Sequence, residues 1–247
     1  MTIKKHDFVE LEYTGRLKEG PVFDTTSEKI AKENNIHNPQ LEYKPGIICV
    51  GEEQVPKGLD EFLVGKELNK EYTVDLKPEN AFGKKDAKKI KLVPLKAFKD
   101  QEIMPQPGLQ VNIDNELGAV LRVSGGRVLV DFNHPFSGRE VTYTFKPLRI
   151  VADSREKIDS YLKMGFNLPG IKVEVRENKA VITMPVEFPP PILESVKKKL
   201  VELTKVKDIE FKKPSNESEK GLEKPRDSPK AEIKKKEPKK ETTSPKQ

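Results

Sequence analysis

Residues that could perform covalent or metal chemistry are few in this chain and are not arranged for it. The single cysteine, Cys49, has no histidine at the spacing of a nucleophile–base pair, and no Gly-x-Ser-x-Gly motif occurs. The histidines His6, His37 and His134 are too dispersed for a metal cluster, and no Cys-x-x-Cys motif or phosphate-binding glycine loop is present. We therefore expect no metal and no cofactor, and we interpret Cys49 as a structural thiol.

Aromatic and small residues recur instead in four short segments. They are Leu-Glu-Tyr-Thr-Gly-Arg-Leu at 11–17, Gly-Pro-Val-Phe-Asp-Thr-Thr at 20–26, Pro-Glu-Asn-Ala-Phe-Gly at 78–83 and Asn-His-Pro-Phe-Ser-Gly-Arg-Glu at 133–140. The last is a turn bounded by proline and glycine, and an alternating strand pattern follows it at 141–145. We interpret His134, next to Pro135, as a hinge residue rather than a base.

Taken together and in this order, the four segments resemble the FKBP-type peptidyl-prolyl cis-trans isomerases. The Asn133-His134-Pro135 hinge is similar to that of the SlyD-like branch, which carries a chaperone domain inserted into one loop. The resemblance covers about residues 5–152, and the chain as a whole is similar to longer archaeal members. It implies catalysed rotation about X-Pro peptide bonds, which otherwise interconvert over tens to hundreds of seconds.

The resemblance also implies a shallow apolar pocket that receives the proline ring of a substrate. Carried over motif by motif, its lining residues would be Tyr13, Phe23, Asp24, Leu41, Val55, Pro56, Leu59, Phe82 and Tyr143. Leu59 stands at the floor position that is often Trp in eukaryotic members, and Phe82 stands where Tyr is common. These departures bear on macrolide binding more than on isomerase activity. Asp24 either orients the substrate carbonyl electrostatically or forms a structural ion pair.

The elements that must hold this pocket read as an α+β fold. Residues 7–83 predict short strands, and one helix at 56–65 ends at a glycine. Residues 84–137 change character: three short strand patterns at 110–113, 118–123 and 127–132 are separated by turn residues. We expect an FKBP-like antiparallel sheet wrapped on one short helix, formed by 1–83 and 138–153. A small all-β chaperone domain at 84–137 would interrupt it.

Residues 154–212 predict a further α+β module with the order α-β-β-α-β. Its hairpin strand at 180–186 carries apolar residues that one helix can cover on one face only, so we expect self-association, with a homodimer as the simplest closed form. Residues 213–247 contain five prolines and almost no apolar residues, and we expect a disordered tail.

The net charge of +6 belongs mainly to that tail. Residues 212–247 contain 12 Lys/Arg and 7 Asp/Glu, a net of +5, so the other 211 residues are almost neutral. The basic tail either serves solubility alone or makes a weak contact with RNA or the ribosome. No apolar run of 18 residues and no signal-peptide pattern occur, so we expect no membrane contact and a cytoplasmic location.

The function that the resemblance implies is a peptidyl-prolyl cis-trans isomerase and folding chaperone for unfolded or nascent proteins with X-Pro bonds. The alternative is a non-catalytic holdase, or a ribosome-associated binding protein whose pocket is vestigial. Nickel handling, known for some SlyD-like proteins, is disfavoured because this tail carries Lys and Glu in place of His and Cys.

Overall fold

The computed structural model describes residues 2–166, 170–186, 188–212 and 231–233. Their contacts divide the chain into two compact units. The first unit combines the described residues of Met1–Lys84 and Gly138–Leu222, and the second combines those of Lys85–Ser137 and Glu223–Gln247. Among the described residues, no helix is both long and apolar enough to span a membrane.

A five-stranded antiparallel sheet forms the body of the first unit. Its strands are β1 (Phe8–Leu17), β2 (Val22–Thr25), β3 (Gly46–Cys49), β4 (Tyr72–Leu76) and β9 (Val141–Ile150). The order is β2-β1-β9-β4, and β3 pairs with the first half of β1 on the side where β2 pairs with its second half. Because β1 pairs with β9 along almost its whole length, the first and last strands of this sheet in sequence lie side by side.

Two short helices accompany this sheet, α1 (Glu28–Glu33) and α2 (Lys57–Leu63). Helix α2 begins after Pro56 and buries Leu59 and Leu63 completely in the core against the sheet. The buried carboxylate of Asp60 accepts hydrogen bonds from the backbone N–H groups of Gly51 and Glu53 at 2.8 and 2.9 Å, which fixes the loop before the helix. The predicted mixed α+β fold with antiparallel sheets is confirmed.

The C-terminal part of the first unit contains α4 (Ser154–Phe166), β10 (Lys172–Arg176), β11 (Lys179–Thr183), α5 (Pro190–Thr204) and β12 (Asp208–Lys212). Strand β11 lies centrally, antiparallel to β10 and parallel to β12. One face of this sheet is apolar and packs with the two helices; its buried core members include Val173, Ala180, Ile182 and Ile209. The register gives the other face a charged character, because Val181 lies between the exposed Glu174 and Glu210.

The C-terminal elements cover the outer side of β1 and β3. Phe8, Cys49, Val151 and Leu203 form a buried cluster there. At its edge the side chain of Glu52 is 2.9 Å from the ammonium of Lys199. Burial, together with nearby carboxylates, raises the pKa of the Cys49 thiol to about 12, so the thiol stays protonated at neutral pH and has no nucleophilic character.

The second unit contains β5 (Ile90–Pro94), α3 (Leu95–Lys99), β6 (Gln110–Ile113), β7 (Glu116–Ser124) and β8 (Arg127–Asp131). The antiparallel strand order is β6-β7-β8-β5. The unit is not purely β as expected, because α3 buries Phe98 completely in the core beneath this sheet. A helix of five residues is too short to produce a helical period in the sequence.

A strand from the C-terminal tail completes this second sheet. Strand β13 (Ala231–Ile233) pairs with β6 in parallel, which makes it the outermost strand. The prediction of a disordered tail over 213–247 otherwise falls on residues outside the described ones. Residues 231–233 form the described part of the tail, as the strand β13.

Two separate clamps hold the ends of the inserted segment. In the first unit, the N–H of Gly138 donates to the carbonyl of Gly83 at 2.8 Å. In the second unit, the Asp131 carboxylate accepts from Lys85 Nζ at 2.9 Å and from the Asn133 backbone and amide nitrogens at 2.9 and 2.8 Å. Burial alone would raise the pKa of Asp131, but these hydrogen bonds outweigh it and lower the pKa.

Candidate active site

Four aromatic side chains meet on the inner side of the first sheet. The ring of Phe23, on β2, meets those of Phe82 and Tyr143 edge-on, with centroids 5.8 and 6.0 Å apart. The rings of Tyr13 and Tyr143 are 6.2 Å apart. Sequence positions 13, 23, 82 and 143 are thus brought together by β1, β2, the turn after β4 and β9.

A glycine makes this convergence sterically feasible. A Cβ atom at Gly15 would lie 2.8 Å from Cε1 of Tyr143 and 2.9 Å from Cζ of Phe23. Gly15 is two residues after Tyr13 on β1 and so faces the same side of the sheet. Gly15 belongs to the Tyr-Thr-Gly motif, but the predicted lining residues of the pocket do not include it. The signal was its place in the Tyr-Thr-Gly run.

The aliphatic members of the predicted site behave differently from one another. Leu59 is completely buried in the same core cluster as Tyr143, and Val55 packs against that cluster while partly exposed. Pro56 is the residue that precedes α2 and is also partly exposed. Leu41 does not belong to the cluster, and 60% of its surface is exposed. The fold therefore does not bring Leu41 to the aromatic cluster, and its role in the pocket stays a prediction.

Asp24 is the carboxylate at the rim of the aromatic cluster. Its Oδ2 accepts a hydrogen bond from the Tyr13 hydroxyl at 3.1 Å. Partial withdrawal from water raises the pKa of Asp24 although the residue as a whole is exposed, and the hydrogen bond from Tyr13 opposes that rise. Burial first, and then the charge of Asp24, raise the pKa of Tyr13, so its hydroxyl remains a donor at neutral pH. The observed contact of the Asp24 carboxylate is thus a hydrogen bond from Tyr13.

Threonines hold the two strands that carry Tyr13 and Asp24. The Tyr13 N–H donates to Thr26 Oγ1 at 3.0 Å, and the Thr26 N–H donates to the Tyr13 carbonyl at 3.0 Å. The hydroxyls of Thr14 and Thr25 are 2.8 Å apart. The site is therefore fixed by backbone and hydroxyl contacts on the rim and by packing beneath.

A cavity of about 660 Å³ on this unit shares Tyr13 with the aromatic cluster but is lined mainly by polar and charged side chains. Its lining includes alternate residues of β1, namely Glu12, Thr14 and Arg16, together with Lys44 and Lys146. Such a charged lining favours water over a proline ring. Within the described residues there is also no group of three His, Cys, Asp or Glu that could hold a metal ion.

We predict that Gly15→Ala lowers the free energy of unfolding by about 1–3 kcal/mol, because the added methyl must displace the rings of Tyr143 and Phe23. Gly46→Ala is the matched control, since a Cβ atom at Gly46 meets nothing within 4 Å. Denaturant unfolding of both variants measures the difference. Equal stability of the two variants would show that the aromatic cluster tolerates a methyl group at position 15.

The comparisons with known proteins agree with this geometry. Residues 1–98 match the family model for FKBP-type peptidyl-prolyl cis-trans isomerase, and residues 91–136 match the model described as FKBP26, IF domain. A short-type peptidyl-prolyl cis-trans isomerase of Methanocaldococcus jannaschii is 35% identical over 144 residues, which are 58% of this chain and 91% of that protein.

More distant relatives extend the comparison to bacteria. The FKBP-type peptidyl-prolyl cis-trans isomerase SlyD of Vibrio cholerae is 25% identical over 162 residues, which are 64% of this chain and 73% of that protein. The FKBP-type 16 kDa peptidyl-prolyl cis-trans isomerase of Escherichia coli is 27% identical over 154 residues, 60% of this chain and 94% of that protein. With the aromatic cluster in place and the archaeal relative matched over nearly its whole length, the chain belongs to the FKBP-type peptidyl-prolyl cis-trans isomerases.

Proposed function

We propose that the enzyme isomerises X-Pro bonds in unfolded or nascent polypeptides, and that the proline ring binds among Phe23, Phe82 and Tyr143. The observation that carries this proposal is the meeting of three aromatic rings beside Gly15, whose missing side chain leaves room for them. Such a surface is apolar and offers few hydrogen-bond partners, so it suits a ring that has no N–H.

The reaction needs an environment more than a reactive group. The barrier of about 18–20 kcal/mol arises from the partial double bond of the peptide C–N bond. In the twisted transition state that resonance is lost and the carbonyl is less polar. An apolar, water-poor surface therefore disfavours the planar amide relative to the twisted one. Asp24, held by Tyr13, lies at the rim, where its charge acts on the carbonyl region of the bound peptide.

The inserted unit is proposed to hold the client chain. Its exposed apolar residues support this role: Leu92, Met104, Leu117 and Leu121 are 59, 89, 52 and 41% exposed. A groove of about 380 Å³ passes Leu117, Leu121 and Pro135. An extended chain held there by strand pairing and apolar contact would present its prolines to the pocket at raised effective concentration.

The rival function is a holdase without catalysis, and a protease-coupled assay on a short prolyl peptide separates the two. A pure holdase would leave the rate of peptide isomerisation unchanged. A weak contact of the basic tail with RNA or ribosomes is a further proposal, supported by its net charge of +5.

Self-association through residues 154–212 is also proposed, but on different grounds from those of the sequence. The second face of the C-terminal sheet is charged, so the expected uncovered apolar face does not support it. What supports it is the pair of strands β10 and β12, each of which pairs with β11 alone among the described strands. Open edges of this kind can pair between two copies.

We predict that Phe82→Ala lowers kcat/KM on a prolyl peptide about tenfold, because the ring that meets Phe23 edge-on is lost.

We predict that Asp24→Ala also lowers kcat/KM on this peptide and removes the acid limb of its pH profile. As the pH falls, Asp24 becomes protonated and turnover should drop. Because the pKa of Asp24 is raised, this drop should begin at a higher pH than an ordinary aspartate would give.

Asp75→Ala is the matched control for the Asp24 variant. Asp75 is a carboxylate of the same domain that accepts a hydrogen bond from Thr142 outside the aromatic cluster. Circular dichroism checks that all variants are folded. Wild-type turnover of either site variant would show that its assigned role is wrong.

We predict that replacing residues 84–137 by a short linker leaves peptide isomerisation largely intact, since the Gly83 carbonyl and the Gly138 N–H are already hydrogen-bonded. Catalysed refolding of a proline-limited protein should fall about tenfold or more because tethering is lost. Met104→Ser tests the same surface without deletion. Equal loss on both substrates would indicate that the insert shapes the pocket instead.

For self-association, we predict a dimeric mass by light scattering at tens of micromolar protein. A chain ending at residue 212 is the control, because it removes β13 and leaves β10 and β12 in place. A monomeric mass of the full-length protein would refute the proposal. A mass that becomes monomeric only on truncation would assign the contact to the tail.

A further inference from the structure

The open edge of the inserted sheet is occupied by the chain's own tail. In the parallel pair of β13 and β6, Ala231, Glu232 and Ile233 lie opposite Val111, Asn112 and Ile113. The other neighbour of β6 is β7, so without β13 the strand β6 would be at the edge. An edge strand presents unpaired N–H and C=O groups and is a template for any extended chain.

The residue types of this segment fit such a template. Between 213 and 247 the aliphatic residues are Leu222, Ala231 and Ile233, so the alternating pair occurs only once in the tail. The register sets Ala231 and Ile233 opposite residues 111 and 113, both buried in the core of the insert. An apolar alternation within a Lys- and Glu-rich segment is the pattern of a short strand.

A second observation marks the β6 edge as a place that receives a ligand. The side-chain oxygen of Asn112 is buried and has no hydrogen-bond partner among the described residues. Since leaving a buried acceptor without a donor is unfavourable, a donor side chain of a bound client would stabilise the complex at this position. The groove with Leu117 and Leu121 begins at Gln110 on this strand. The opposite edge, β5, ends in Pro94, which has no N–H to offer.

We infer that residues 231–233 act as an internal competitor for the strand-pairing edge of β6, where unfolded clients bind; the inference rests on the proposed client binding by the insert. Three paired residues make a weak contact on their own. Tethering to the same chain gives the segment an effective concentration of roughly millimolar, so the edge is partly covered at rest. A client with a longer extended segment makes more contacts and displaces it.

Such a competitor would have two effects on the enzyme. It sets a minimum length of extended client that can hold the edge, because shorter peptides lose to the tethered segment. It also covers an edge that would otherwise pair with the same edge of another copy. Both effects come from the three residues of β13 and need no change in the isomerase domain.

The test measures binding of a labelled, reduced and carboxymethylated unfolded protein to the full-length chain by fluorescence anisotropy. Ile233→Lys should lower the dissociation constant of the probe about two- to fivefold, because it weakens the pairing of residues 231–233 with β6. Leu222→Lys is the matched control, with the same charge change in the same tail, and should bind as the wild type does. Hydrogen exchange at residues 111–113 should be faster in the Ile233 variant alone.

The outcomes separate this inference from the proposed function. If all three proteins bind the probe with equal affinity and exchange equally at β6, the competitor role is refuted while client binding stands. If even the Ile233 variant fails to bind the probe, client binding by the insert fails, and the competitor role fails with it. Tighter binding by both variants would assign the effect to tail charge and would also overturn the inference.

Discussion

The long antiparallel pairing of β1 with β9 is the constraint on which this molecule depends. It joins residues 9–17 to residues 141–150, so it closes a segment of more than a hundred residues. Tyr13 and Gly15 reach the aromatic cluster on one of these strands, and Tyr143 reaches it on the other. The inserted unit lies within the loop that this pairing closes. A change that weakened the ladder would therefore disturb the catalytic surface and the root of the insert together.

The parts of the fold that a sequence pattern can reveal are those with a local rule. The aromatic positions and the helix around Leu59 follow from short motifs with specific residue types. By contrast, α3 is shorter than the period that would reveal it. Gly15 acts through the space between two rings that come from distant strands, and a motif states the residue without its neighbours. Strand β13 depends on a partner edge about 120 residues away, whereas its own composition resembles that of a solvated tail.

The C-terminal sheet shows how a sequence pattern can mislead about which face of a strand is buried. A strand with apolar residues on both sides predicted a second buried surface. The residues opposite Val181 on its neighbours are Glu174 and Glu210, and the alternation of those two strands decides that this side faces water. The C-terminal helices bury further apolar surface against the isomerase sheet, because α4 and α5 also cover Phe8 and Cys49. The isomerase sheet and the C-terminal helices of the first unit thus share one buried cluster.

The single hydrogen bond between Gly138 and Gly83 has a consequence for how such enzymes diversify. Entry and exit of the inserted segment are one hydrogen bond apart, so the two ends of the segment leave the first unit side by side. Any domain whose own ends lie equally close can occupy this position without stretching β4 or β9. Recombination can therefore exchange the inserted part while the isomerase part is inherited intact, and a designer can graft a chosen peptide-binding domain at the same position.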